Sequence, residues 1–497
     1  MRVFNAKRRS PRACRGRCAS MAVTNAAVTL RIAAIGLAAL LTGCATFSPD
    51  DGMSTVQDVA GAVLDKRVVA LRSQVDVDAA RDAMRRRLKR PLTADAAVEL
   101  ALLGNRDLQA SYNALGMSEA VMVTASLPPN PGVSISGIAG GGGLEIERQI
   151  VANVLALATL PARAEIAADR FRQAQLRAAL DTLRIAAEAR RAYYRAVAAG
   201  ALAKYLGEAQ STAASAAQVS RRLGESGALN KLDQARHQVF YADLTAELAG
   251  ARRRATGERE RLIRAIGLWG GDLDFQLPDA LPPLPATPRV ASSVEIEAVR
   301  RRVELQIGRI EVEALAKSYG LTNATRFIDL LEVSGIAKTA RDPGGPRFNE
   351  YGAGVDLQVP LFDFGEVRVR QAEETYMRAI NRLTAAAVNA RSEAREAYQA
   401  YRATYDIARH YRREVLPLRK IVSDETQLRY NVMQIDVFAL LAEARQSIAA
   451  TQAAIRAEED FWLADADLVA AIFGGGSNGA TVNPPMTATA DAAAGRE

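Results

Sequence analysis

From Tyr351 to Leu361 apolar and polar positions alternate strictly. Tyr351, Ala353, Val355, Leu357, Val359 and Leu361 fall on one side, and Gly352, Gly354, Asp356 and Gln358 on the other. A two-residue period predicts a strand with one apolar face and one polar or side-chain-free face. Pro360 and Gly365 break the pattern. From Glu366 an Ala-, Arg- and Glu-rich stretch, free of proline until Pro417, predicts a long helix. A strand that is oily on one side, feeding such a helix, suits a chain that lines a membrane pore and extends into water.

Similar patterns occur elsewhere. Thr93 and Asp95 open a helix expected to run to about Leu127, where Pro128, Pro129 and Pro131 stop it. Val133–Ile138 and Leu144–Leu155 alternate as strands. Gly140–Gly143 joins them as a hairpin tip; no Lys-Ser/Thr follows, so the glycines do not read as a phosphate cradle. A helix from Arg163 to about Leu223 spans ~90 Å at 1.5 Å per residue. Gly224–Gly227 turns it into a second helix ending near Ile266. After a Pro/Gly-rich linker, 270–292, the order recurs. A helix covers 293–319, a strand Thr325–Ile336, a loop Thr339–Pro346, then the strand at Tyr351, its long helix, and a last helix from Asp436 to Ile472. The tail, 474–497, has little apolar content and is expected to be disordered.

Three anchors support duplication. Asn105–Gln109 parallels Arg302–Gln306 at an offset of 197, Leu160-Pro161 parallels Phe364-Gly365 at 204, and Ala228–Ala235 parallels Val437–Ala444 at 209. The resulting segments are a repeat at 92–269 and another at 293–473, each helix, two strands and a long helical hairpin. Two strands per repeat cannot close a barrel, and an open edge in lipid leaves backbone groups unpaired. Closure therefore requires several copies of the chain.

Charge changes the picture only at the N-terminus. The net charge of +8 comes from residues 1–43, which hold eight basic residues and no acidic one. The remainder is balanced and gives no support for nucleic-acid binding. A basic region, an apolar run from Ile32 to Leu41 and the sequence Leu41-Thr42-Gly43-Cys44 have the layout of a secretory signal ending in a lipidated cysteine. The run is too short to span a bilayer. Met21 is an alternative start that keeps a shorter signal. Residues 44–91 form a polar, partly helical lead-in. Its basic run, Arg85 to Arg90, reads as a solvated helix face rather than a lipid-binding patch, since Asp76, Asp78 and Asp82 lie close by. Cys14 and Cys18 lie in the leader, so no internal disulfide forms in the mature chain.

Residues Val359-Pro360-Leu361-Phe362-Asp363-Phe364-Gly365 with Ala372, Glu414-Val415-Leu416-Pro417, the turn at Tyr430, and Gly267-Leu268 leading to Leu281–Pro285 resemble the TolC-like outer-membrane efflux factors. The lipoprotein members are the nearest in kind. The resemblance covers about residues 92–472. It implies a mainly α fold with a small transmembrane β part. Each protomer gives four strands to a twelve-stranded trimeric barrel, and long helices form an α-barrel through the periplasm. It also implies a homotrimer, a periplasmic adaptor, an inner-membrane pump and outer-membrane lipid as partners, and no cofactor. On that basis Cys44 takes the lipid, and Ala45 after it favours the outer membrane. The hairpin tips, with Arg221, Gly224, Gly227, Tyr430 and Met433, meet the adaptor. Asp436 is a candidate gate residue, with a simple helix N-cap as the plainer role. Asp356 and Gln358 face the pore. Phe362 and Phe364 sit at a membrane interface or pack in the core.

Catalysis finds little support. The two histidines, His237 and His410, have no second ligand at helical spacing, so no metal site is expected. Carboxylate pairs such as Glu373-Glu374 and Glu459-Asp460 sit in mixed-charge helices. The function expected is a passive exit duct driven by a partner pump. The alternative is a periplasmic coiled-coil scaffold lipoprotein without a pore.

Overall fold

The structure is a computed structural model and describes residues 46–140, 143–270, 274–290, 294–341 and 345–476. The leader, Cys44, the tip of the first hairpin and the tail beyond Gly476 lie outside the described residues. From Ser48 on, the chain forms one unit.

A helical segment at 53–64 and helix α1 (Gln74–Leu88) precede α2 (Ala94–Gly104) and α3 (Arg106–Ser126). Strands β1 (Gly132–Gly140) and β2 (Gly143–Asn153) follow, then a short helix α4 (Val154–Ala158). Helices α5 (Leu160–Glu225) and α6 (Lys231–Ile266) make the first long hairpin. The second half repeats the order with α7 (Val294–Arg301), α8 (Val303–Ala324), β3 (Leu330–Arg341) and β4 (Arg347–Gln358). Its long hairpin is α9 (Glu366–His410), a π turn (Tyr411–Val415) and α10 (Leu416–Asn431), returning through α11 (Val437–Phe473). With 66 residues, α5 is about 100 Å long.

The first helix of each half is broken where a single helix was expected. Asn105 (ψ 117°) and Arg302 (ψ 122°) both leave the helical region. Asn105 caps α3 by accepting from Leu108 N, and its amide donates to Ala265 O at 3.2 Å. Arg302 is buried and pairs with Glu393 at 2.6 Å. These breaks are the paired residues of the first sequence anchor.

Other boundaries moved for local reasons. The third strand starts at Leu330 rather than Thr325, because Thr325–Arg326 finish the helix with turn bonds such as Thr325 N to Leu321 O. It runs on to Arg341 through Thr339, expected to be loop, because the partner strand starts at Arg347 and continues the ladder. The last strand ends at Gln358, before Pro360. Pro417 does not end the long helix. Proline has no N–H to donate and its ring crowds the carbonyl four residues back, here that of Arg413. The helix absorbs this in the π turn, where Leu416 N reaches Tyr411 O, and continues to Asn431.

The polar lead-in and the first residues of the segment expected to be disordered are packed. Val56, Ala60 and Val68 of the N-terminal lead-in are buried in the main core with Leu100, Tyr112, Leu176 and Tyr193. Gly474 and Gly475, assigned to a disordered tail, are buried, and Gly475 N donates to Glu304 Oε1 at 3.4 Å. The linker is held as well: Trp462 Nε1 donates to Pro282 O at 3.0 Å and Tyr405 Oη to Pro285 O at 3.1 Å. An aromatic cluster joins the halves, with Tyr194 stacked on Trp462 at 5.2 Å and Trp462 edge-on to Phe461 at 5.1 Å.

Candidate channel-forming site

The four strands form one antiparallel sheet in the order β1-β2-β3-β4, and the central β2–β3 pair joins the two halves. Directly opposed residues share a face. Asp356 stands opposite Glu332, which stands opposite Asn153; the Asn153 amide donates to Glu332 Oε1 at 3.4 Å. Further along the same face, Glu350, Lys338, Glu147 and Ser136 are in register, and Lys338 pairs with Glu145. Gln358 lies opposite Leu330 on this face. The sheet thus brings Asp356 and Gln358 together with polar residues of three other strands.

The opposite face is apolar and uncovered. Val133, Ile135, Ile150, Val333, Tyr351, Val355 and Leu357 are all exposed, Tyr351 by 82% and Val355 by 67%. An uncovered apolar face of this extent marks a protein or lipid contact. Toward the hairpin tips it gives way to Arg148, which donates to Thr339 Oγ1 at 3.3 Å, and Asn349. Toward the helices it ends at exposed Leu361, Phe362 and Phe364. The outer edges of β1 and β4 have no partner strand among the described residues.

The strand-to-helix junction explains its own sequence. Pro360 O accepts from Phe364 N, and Asp363 accepts from Glu366 N through its carbonyl and from Gly365 N through its side chain. Phe364 (φ 47°) and Gly365 (φ 72°) are both left-handed. Gly365 lies on the backbone of Arg326, where a Cβ would overlap the Arg326 carbonyl. Arg326 Nε donates to Phe364 O at 3.3 Å, and Arg368 ties the turn to Asp329. This turn fixes the direction in which the long helix leaves the sheet.

The two hairpin tips lie at the same end. Val437 and Leu441 of α11 pack with Phe240, Leu244 and Leu206 of the first hairpin, with Tyr430 against this cluster. Arg236 lies over the Phe438 ring at 5.2 Å, and Arg445 pairs with Asp243 at 3.0 Å. The turns are copies of one another. Ala228 N donates to Leu223 O and Gln434 N to Arg429 O; Gly227 N donates to Gly224 O and Met433 N to Tyr430 O. Gly227 (φ 75°) and Met433 (φ 61°) hold the same left-handed position. Asn230 and Asp436 then cap the returning helices, accepting from Asp233 N and Ala439 N, each at 2.8 Å. The structural offset is therefore 206, and the third sequence anchor, at 209, is corrected by three residues. Side-chain similarity misled it, because the turn is set by backbone conformation. Arg221 is exposed at the first tip, and Gly224 faces the Gln234 amide across the hairpin.

The titratable groups show structural surroundings. His237 is buried and its Nδ1 has no hydrogen-bond partner; burial lowers its pKa, against an opposing pull from Asp233. His410 lies 3.1 Å from Glu414 one turn on. Among the described residues no three His, Cys, Asp or Glu side chains converge as a metal site, and no helix is long and apolar enough to cross a membrane. Sequence reasoning missed buried Glu119, whose Oε1 accepts from both Ser48 N and Ser48 Oγ at 2.6 Å and so ties Ser48 to α3. Glu119 carries no periodic signal that separates it from an exposed helical glutamate.

No protein-family model matches the chain, and no curated protein matches it. Solved structures do. The outer-membrane channel OprN is 18% identical, with 86% of this chain and 96% of that one covered at a TM-score of 0.64. The Campylobacter jejuni CmeC outer membrane channel is 15% identical, with 77% and 86% covered at 0.64. The Vibrio cholerae outer membrane protein VceC is 14% identical, with 77% and 96% covered at 0.64. At such identities the likeness concerns the fold, and the fold of this chain is that of the TolC-like outer-membrane channels.

Proposed function

We propose that this protein is the outer-membrane channel of a tripartite efflux system. It is a passive duct for small molecules or ions, driven by an inner-membrane pump through a periplasmic adaptor. The observation that carries this reading is the sheet: one face is apolar and uncovered, the other is polar, and neither edge has a partner strand among the described residues. Lipid can cover the apolar face, but only neighbouring strands can satisfy the edges. Three copies, joined β1 to β4, give a closed barrel whose polar face, with Asp356, Gln358 and Glu332, lines water.

In this reading residues 1–43 are a signal peptide and Cys44 carries the lipid at the head of the segment 44–91. The repeats 92–269 and 293–473 are joined by the linker 270–292, and 474–497 is a tail. The helices beyond Gly365 descend into the periplasm. The tips, with Arg221, Gly224, Gly227, Tyr430 and Met433, meet the adaptor, and Asp436 borders the constriction. The similarity to outer-membrane channels supports the placement. The experiment is conductance of the purified protein in a planar bilayer together with a gel of unheated and heated samples. Discrete conductance and a heat-labile trimer are expected. A monomer that stays soluble after removal of the lipid and gives no conductance would overturn the reading in favour of a scaffold.

A further inference from the structure

We infer that a cleft between the linker and the π turn receives an acidic peptide segment of a partner protein. The cleft, of about 250 Å³, is lined by Pro283, Leu284, Pro285 and Ala286 on one side and by Tyr405, Arg409, Arg412 and Arg413 on the other. The inference rests on the channel reading only for its compartment, the periplasm.

The two walls are held to each other through Tyr405, which stands on α9 with Arg409. The linker wall is tied to the helices beneath it through Tyr405 Oη, which donates to Pro285 O and Ala286 O, and through Trp462 Nε1 on Pro282 O. The arginine wall belongs to the end of α9 and the π turn that Pro417 imposes. A π turn inside a long helix commonly marks a functional site. Here it carries Arg412 and Arg413 beside Arg409. Arg412 leans on Glu458 at 3.6 Å. Arg409 and Arg413 are exposed and have neither an ion pair nor a hydrogen bond among the described residues. The nearby Glu414 is engaged with His410. Elsewhere on α9, Arg391 and Arg395 converge on Glu295 and Arg402 pairs with Asp406, while exposed Arg378 and Arg382, like Arg409, have no ion pair among the described residues but do not line the cleft.

The cleft therefore presents unspent guanidinium groups to a rigid wall of proline rings and backbone carbonyls. Guanidinium forks match carboxylates in a two-bond geometry. The linker wall adds the rings of Pro283 and Pro285 and the Leu284 side chain, an apolar surface on which the methylenes of an acidic peptide can pack and inorganic phosphate has no apolar group to place. Charge on one side and an apolar wall on the other fit an acidic peptide better than inorganic phosphate.

The test uses the full chain, purified in detergent, and a fluorescent tetraglutamate peptide followed by anisotropy. Saturable binding is expected, weakened about ten-fold or more in the Arg409→Gln/Arg413→Gln double variant. Arg378→Gln, at an exposed α9 position outside the cleft, should bind as the parent does. Arg409→Glu/Arg413→Glu should reject tetraglutamate and accept tetralysine, which shows a folded, recharged cleft. Equal binding by parent and double variant would overturn the inference. So would displacement by equimolar inorganic phosphate, or capture only by phosphatidylglycerol vesicles. An absence of peptide binding combined with loss of the oligomer in the double variant would also overturn it, assigning the cleft to a second copy of the chain. Bilayer conductance of the same samples reports separately on the channel: normal conductance without peptide binding sinks this inference alone.

Discussion

Met433 stands where its counterpart is glycine. A left-handed backbone costs a residue with a Cβ about 1–2 kcal/mol, and Gly227 avoids that cost at the first tip. Met433→Gly should therefore slow amide exchange in the second tip by roughly five- to thirty-fold, equivalent to ~1–2 kcal/mol; unchanged exchange would show that Met433 is held there by contacts instead. His237 makes a pH-dependent contribution at the first tip. Burial lowers its folded pKa below the unfolded value, so its neutral form favours the fold. That contribution is complete above the unfolded pKa and is lost as pH falls through the lower folded one. Protection of α6 near His237 should drop on acidification below about pH 6.5, and His237→Phe should flatten the drop. Asp436 separates two roles. Asp436→Asn keeps the cap and removes the charge, so altered cation block or leak with unchanged melting would assign it to the constriction. Asp436→Ala should cost ~1 kcal/mol through the lost cap.

At the scale of elements, the junction between β4 and α9 is the least replaceable feature. Gly365→Ala sets a Cβ against the Arg326 carbonyl in a left-handed position. The turn then has to open, and the sheet and long helix lose their fixed relation. Gly365→Ala should yield little heat-labile oligomer, whereas Val367→Ala, on an exposed position of the same helix, should assemble normally. Most elements were legible in the sequence because their periods are intrinsic to the backbone. Three strands were marked by alternation, the third in chain order was placed only as a strand at Thr325–Ile336, and both long hairpins were marked by composition and turns. The breaks at Asn105 and Arg302 were not legible as breaks. Neither is proline or glycine, and what opens the helix is tertiary: an amide reaching Ala265 O in one half, a buried guanidinium reaching Glu393 in the other. Pro417 misled in the other direction, because a helix held by packing on α11 can carry a π turn that an isolated helix would not.

At the scale of the molecule, the exposed apolar face is where the proposed trimer is open to test. Val355→Asp places a charge on that face, where a carboxylate facing lipid costs up to ~2 kcal/mol near the bilayer midplane, a cost repeated in each copy of the proposed trimer. Trimer on unheated gels should fall several-fold with the helical content retained. Normal trimers in Val355→Asp would mean that the face is not lipid-exposed. The polar face of the same sheet should tolerate Gln358→Glu, with a change confined to ion selectivity.

What the sequence determined by itself is the set of elements, their duplication and the two-faced strands, because periods of 2 and 3.6 residues are written locally. It also marked the region of the tips and the junction motif. The tertiary structure decided the rest. It set the exact equivalence of the two turns, since that depends on backbone angles at Gly227 and Met433. It packed the N-terminal lead-in and Gly474-Gly475 into a core that only distant helices complete. It also left Arg409 and Arg413 unpaired beside a fixed linker. Whether a charge is spent or free depends on which distant carboxylates the fold brings within reach, and no local pattern records that.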